Sequence, residues 1–480
     1  MNHAFWPATR LARALRARKI GAVELFDLYA ARIERHNGAL NAICVMDLDA
    51  GRRQARAADR ARGERGPLHG LPMTVKESFD VAGFATTWGL SEQRANVARA
   101  DALAVARLKA AGAVVFGKTN VPVMLADWQT FNPLYGTTSN PWDPARTPGG
   151  SSGGAAAALA AGLTGLEIGS DIGASIRGPA HYCGVYGHKP TWGICAMRGH
   201  ALPGIARSPD ISVIGPLARS AADLRLALRL IAGPDEIDAA GWRLALAKPA
   251  LRSWRRLRVA VMASHPTAEV DASVADPIQR LADWLARKGA RVSDRARPDF
   301  DAEEAHRVFL TLLRSETSGR QTPEQFARWQ ELARSHPAQD PSYEAQTARA
   351  NTMFHKDWLG TSNRRHQMRL AWAAFFRDWD VLLCPIAASA AFPHNQQGER
   401  WERMIPVNGK PQPSTTQMFW AGYSGTSLLP SSVAPIARTA EGLPVGVQIV
   451  GPQYGDYLTI AFAQLLEREY RAFEPPPGYD

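Results

Sequence analysis

The chain has 480 residues, 45% of them apolar and 21% charged, with 14 Trp, 16 Phe and 10 Tyr. That is ample material for a large core, and it excludes disordered, collagen-like and disulfide-scaffold classes. The 56 basic residues against 45 acidic ones leave a net charge of +11, but only nine of the 56 are Lys, and the remaining 47 Arg are scattered with no run of five. A phosphate-binding face needs clustered charge, so nucleic acid is not an expected partner.

Arg10, Arg13, Arg16, Arg18 and Lys19 interrupt every apolar stretch near the start, so a signal peptide is not expected. No apolar run approaches the roughly 20 residues of a membrane helix, so no membrane association is expected either. Apolar residues at helical spacing (Leu11, Leu15, Ile20, Leu25, Leu28, Ile33) predict two amphipathic helices between residues 9 and 35. Asp101 reads as the N-cap of a helix through Leu108, stopped by Gly112 and followed by a short buried strand at 113–116. Strands at 256–262, 381–384 and 445–450 alternate with helices at 276–288 and 456–468. A polar, helix-prone stretch from 302 to 379 reads as an excursion from the sheet. The alternation predicts an α/β fold with helices on both faces of one sheet. Cys44, Cys183, Cys195 and Cys384 show no CxxC spacing and read as reduced, buried thiols of a cytoplasmic protein.

Three short patterns compete for the chemistry. Gly112 to Thr119 satisfies the Walker A expression, but its central Ala-Val-Val-Phe reads as a strand and Pro122 follows where a helix should run. Gly149-Gly150-Ser151-Ser152-Gly153 fits a nucleophile elbow, with Asp380 and His394 later in the chain. The elbow needs a preceding strand, which Pro141, Pro144 and Pro148 preclude. A glycine-rich turn feeding the helix formers 155–161 does, however, present free amides and the positive end of a helix dipole. The third pattern, Gly169-Ser170-Asp171-Ile172-Gly173-Ala174-Ser175-Ile176-Arg177, could aim consecutive backbone amides at a carbonyl oxygen attacked by Ser175.

Taken together, seven segments resemble the amidase signature family. They are His69 to Glu77, Gly117 to Asn120, Asn140 to Gly154, Gly169 to Gly184, Gly187 to Thr191, Ile214 to Ser220 and Gly442 to Gln448, in family order over nearly the whole chain. The resemblance implies a mixed central β-sheet covered by helices, in one domain over 1–480 with a variable helical excursion at about 300–425. It further implies Ser175 as nucleophile, Ser151 as bridging serine after a cis peptide bond, and Lys76 as base. The amides of Ile172, Gly173, Ala174 and Ser175 would form the oxyanion hole. Ser152, Asp171 and Arg177 would support this turn without reacting. Where the family commonly has a second glycine this chain has Ala174, whose methyl is expected to narrow the space beside the nucleophile.

A serine hydroxyl needs a base, and a lysine serves only when neutral, a state that burial favours and that an Arg never reaches. The expected activity is therefore cofactor-independent hydrolysis of the C–N bond of a small-molecule amide through an acyl-enzyme. Aryl-acylamide or carbamate hydrolysis, and the amidase component of a tRNA-dependent amidotransferase, remain alternatives, and homodimerisation is left open. Met124, Leu125, Trp128 and Trp420, with Phe131 and Tyr423, are candidate pocket walls, although core packing accounts for each equally well. The twelve histidines show no metal-ligand spacing, so no metal is expected, and His181 and His188 read as packing groups.

Overall fold

Apolar runs too short for helices, set between amphipathic stretches, build two main sheets, beside two two-stranded pairs, in the computed structural model, which describes residues 3–249 and 251–479. The smaller sheet joins β1 (Ile43–Met46), β2 (Pro72–Lys76) and β3 (Val114–Thr119), with β3 central, antiparallel to β1 and parallel to β2. The larger one has eight strands: β4 (Glu167–Asp171), β5 (Tyr186–Lys189), β6 (Val213–Ala218), β7 (Arg258–Val261), β8 (Arg291–Ser293), β9 (Val381–Cys384), β10 (Ser431–Arg438) and β11 (Pro444–Val450). Their spatial order is β8-β7-β9-β11-β10-β5-β6-β4. The β8-β7 and β7-β9 pairs are parallel and the rest antiparallel, so the sheet is mixed, as expected.

Every residue of β4, β6, β9 and β11 is buried, which requires cover on both faces. Helices supply it. Gly153–Ala160 is apolar all round and buried at every position, so it sits inside the molecule rather than on its surface. The excursion forms four helices, Ala302–Ser318, Pro323–Ser335, Tyr343–Asn351 and His355–Asp378, the first of which packs against Gln417–Gly425.

Some boundaries depart from expectation. The two opening helices are Ala8–Arg16 and Ala22–Leu40. Asp101 does not cap the helix Leu103–Ala110; its carboxylate accepts instead from Ala82 N at 2.9 Å and from Lys109 Nζ at 2.7 Å. The helix expected from 276 begins at Ala272, because Asp271 caps it through Ser273 N. All four cysteines are free, Cys183, Cys195 and Cys384 buried and Cys44 half-buried.

Candidate active site

Lys76 ends β2, where Pro72, Met73, Thr74 and Val75 are all buried and carry it into the interior between the two sheets. Its side chain is fully buried, with Nζ 2.6 Å from Ser151 Oγ and 3.0 Å from Ser170 Oγ. Burial lowers the Lys76 pKa to about 7 against the opposing attraction of Asp171, Glu167 and Glu77. The nearest sequence neighbour is turned away: Glu77 accepts from Thr87 N, Thr87 Oγ1 and Trp88 N. Glu167, bonded by Thr74 Oγ1, is pushed by burial up to about 8. Lys118, from the Walker-like segment, lies within strand β3 and donates to Thr86 Oγ1 and Ala85 O, so that pattern is a strand as read.

Ser151 arrives on an extended loop, not on a strand, and follows a cis peptide bond. Gly150 is required there by space: a Cβ would lie 2.4 Å from Asp127 O. Ser152 N donates to Ser175 O at 3.0 Å, a backbone bond that ties the loop of one serine to the turn of the other. Ser152 Oγ reaches Ser170 O at 3.4 Å. The elbow alternative finds no geometry, since Asp380 pairs with Arg258 at 2.7 Å and neither Asp380 nor His394 lines the cavity that holds the serines.

The turn after β4 is organised by one carboxylate. Asp171 receives Arg177 Nε at 3.0 Å and Arg177 Nη2 at 2.9 Å, both side chains wholly buried. It also accepts from the amides of Ala174 (2.9 Å), Ile176 (3.1 Å) and Arg177 (3.3 Å). Against the upward push of burial, Arg177 holds the Asp171 pKa at about 2. Arg177 continues to Gln448 Oε1, Ser424 Oγ and Ala421 O, fastening the turn to β11 and the helix Gln417–Gly425. The Ala174 amide, one of the four expected oxyanion donors, is thus engaged by Asp171, while those of Ile172, Gly173 and Ser175 have no acceptor among the described residues. Ala174 has φ 71, a conformation that favours glycine. Its methyl is packed in the core and does not line the cavity, so it does not narrow the space beside Ser175 as expected.

Ser151, Ser170 and Ser175 open onto a cavity of about 240 Å³. Ser175 Oγ makes no hydrogen bond to any described residue, and so faces that space unengaged. Of the expected walls, Met124, Leu125 and Trp128 line the cavity. Trp420 does not: it is fully buried in the core beside Phe419, because its helix turns that face inward, and Met418 lines the cavity instead. Phe131 and Tyr423 are likewise absent from the wall. His181 (to Ser389 O and Gly446 N) and His188 (to Ser432 and Asp456) are satisfied packing groups. Sequence reasoning missed Ser170, although it stands beside Asp171 in the motif. It also missed His200, whose Nε2 meets Ser78 Oγ at 3.0 Å.

Among known proteins, a family model described as Amidase matches residues 24–460. The chain belongs to the amidase family. It is 35% identical to an indoleacetamide hydrolase of Bradyrhizobium diazoefficiens over 96% of this chain and 86% of that one. It is 32% identical to one of the subunits of the glutamyl-tRNA(Gln) amidotransferase of Anaeromyxobacter sp., over 96% and 95%. A solved structure of 6-aminohexanoate cyclic dimer hydrolase with substrate superposes with a TM-score of 0.80 at 25% identity, over 99% of each chain. This amidase is therefore an amidohydrolase on the fold expected of the family. No helix among the described residues is long and apolar enough to cross a membrane.

Proposed function

We propose that this amidase hydrolyses small-molecule carboxylic amides through Ser175, Ser151 and Lys76. The observation that carries the reading is a wholly buried lysine, with its pKa lowered to about 7, lying 2.6 Å from Ser151 Oγ. In the reacting state Ser175 Oγ donates its proton to Ser151, which passes its own to neutral Lys76 as Ser175 attacks the carbonyl carbon. The amides of Ile172, Gly173 and Ser175 stabilise the oxyanion, and Asp171 and Arg177 hold those amides in place. The relay then returns a proton to the departing amine, and water cleaves the acyl-enzyme by the same steps reversed.

Trp88, Trp128, Met124, Met418 and Ile172 give the cavity an aromatic and thioether lining suited to a flat apolar group on the acyl side. The likeness to an indoleacetamide hydrolase favours the same class, an arylalkyl amide. Free thiols, three of them buried, fit a reducing cytoplasmic compartment. Turnover of phenylacetamide by the purified chain alone tests the reading. Hydrolysis without a second protein or tRNA supports a free-standing amidase. Turnover only with a partner complex would favour a component of a tRNA-dependent amidotransferase, for which the likeness to the Anaeromyxobacter protein is the argument.

A further inference from the structure

The cavity is rich in guanidinium groups: Arg207, Arg314, Arg320 and Arg400 all line it. Its carboxylates are engaged. Glu316 takes Arg207 in a two-point contact at 2.7 and 3.1 Å, and Asp127 pairs with Arg403 at 2.7 Å. Arg314, Arg320 and Arg400 have no carboxylate within ion-pair distance among the described residues. Arg320 lies over the Trp88 ring, 5.0 Å from its centroid, where the π face partly offsets the charge.

Arg314 has a similar contact with the Tyr343 ring, 5.5 Å from its centroid, but neither it nor Arg400 has a counter-ion among the described residues. Arg314 comes from the helix Ala302–Ser318 and is 8% exposed, its Nε is buried without a hydrogen-bond partner, and its Nη2 donates only to the Tyr343 hydroxyl. Arg400 donates to a single carbonyl, Ala126 O. Both side chains line the main cavity and also the smaller recess that adjoins it beside Trp128 and Met418. The two guanidiniums feel one another: burial lowers the Arg400 pKa and Arg314 lowers it further, and against the upward push of burial both pull the Tyr343 hydroxyl downward. Two like charges held in a poorly hydrated wall are costly unless a negative group joins them. A guanidinium pair matches a carboxylate in shape as well as in sign.

We propose that Arg314 and Arg400 form a carboxylate-binding subsite, and that the preferred substrates are amides bearing a carboxylate at the end remote from the scissile C–N bond. This rests on the amidase reading of the serine site and deepens it. The carboxylate can belong to the acyl part, as in a dicarboxylic acid monoamide, or to the amine part, as in an N-acyl amino acid, and the test separates the two.

The experiment compares kcat/KM for phenylacetamide with its 4-carboxy derivative, and for N-(phenylacetyl)ethylamine with N-(phenylacetyl)glycine. Charge-assisted hydrogen bonds of this kind give a preference of about tenfold or more for one carboxylated member. Arg400→Met and Arg314→Met bring that ratio toward one, and Arg400→Lys keeps part of it; a merely structural arginine would lower both members of a pair alike. Because Arg314→Met disturbs a buried site, the half-buried Arg400 gives the reading that decides if the first variant does not fold. Ratios within about twofold of one for both pairs in the native protein overturn the subsite. Labelling of native Ser175 by a fluorophosphonate distinguishes the two failures. Labelled protein with flat ratios removes the subsite alone, and absent labelling removes the underlying amidase mechanism with it.

Discussion

Lys76 Nζ lies 2.6 Å from Ser151 Oγ, and the lysine that makes this contact has no exposed surface. Desolvation rather than a neighbouring cation lowers its pKa: the three carboxylates around it all favour its charged form, and burial overrides them. In the proposed mechanism the active species is the neutral amine. With the Lys76 pKa near 7, kcat/KM for a neutral amide should rise through pH 7 and level off above about pH 8. Lys76→Arg keeps the charge and cannot accept the proton, so it should lose activity by about 10²–10⁴-fold. A pH–rate profile of both proteins checks this, and a flat profile between about pH 5 and 9 would count against Lys76 as base.

The same depressed pKa is a stability statement. Below about pH 7 the lysine is charged in the folded and unfolded chain, so the full cost of burying a cation is present. Between about 7 and its ordinary value near 10.4, the unfolded state binds the extra proton and that cost declines as pH rises. Lys76→Met, which removes the cation, should therefore raise Tm most at about pH 6, with the advantage shrinking by about pH 9. Thermal unfolding of the two proteins across that range is the measurement, and an advantage that grows with pH would contradict the assignment.

Ser170 donates nothing to the proposed relay, yet its hydroxyl is the second contact of Lys76 Nζ, at 3.0 Å. That contact favours the ammonium and also fixes where the amine points. Ser170→Ala should shift the acidic limb of the pH–rate profile to lower pH and reduce kcat on the order of tenfold through lost orientation. A variant with reduced kcat and an unmoved limb would leave only the positioning role.

Asp171 holds two nitrogens of Arg177 and three backbone amides. Asp171→Asn leaves a fully buried guanidinium without its counter-ion, a loss of about 3–5 kcal/mol. In the native protein the contribution of this carboxylate is present above about pH 4 and is lost as pH falls from about 4 toward the folded value near 2. Denaturant unfolding at about pH 7 and about pH 3 tests both points; the native-to-variant gap should narrow at the lower pH.

Much of this architecture was legible because it depends on local chemistry. The strand at Val381–Cys384 and the helix from Asp456 follow from apolar runs and periodicity, whereas Lys76, Ser151 and Ser175 are singled out together by the resemblance of their segments to the amidase signature family. What failed to show depends on partners far away in the chain. Asp101 looks like a cap until Ala82 and Lys109 claim its oxygens. Trp420 looks like a wall until its helix turns it into the core, and the Ala174 amide looks free until Asp171 folds back on it. Arg314 comes from the polar excursion and Arg400 from the segment after Val381–Cys384, and nothing in the order of residues places them on one wall.

In the proposed mechanism Ser175 forms the covalent acyl-enzyme. Intact-protein and peptide mass spectrometry after rapid acid quench with phenylacetamide, in native and Ser175→Ala proteins, is the decisive measurement. Acylation at Ser175 gives an acyl adduct on the peptide carrying Ser175 and none in the variant; an adduct that survives the substitution, or one on Ser151 in native protein, rules Ser175 out as the nucleophile.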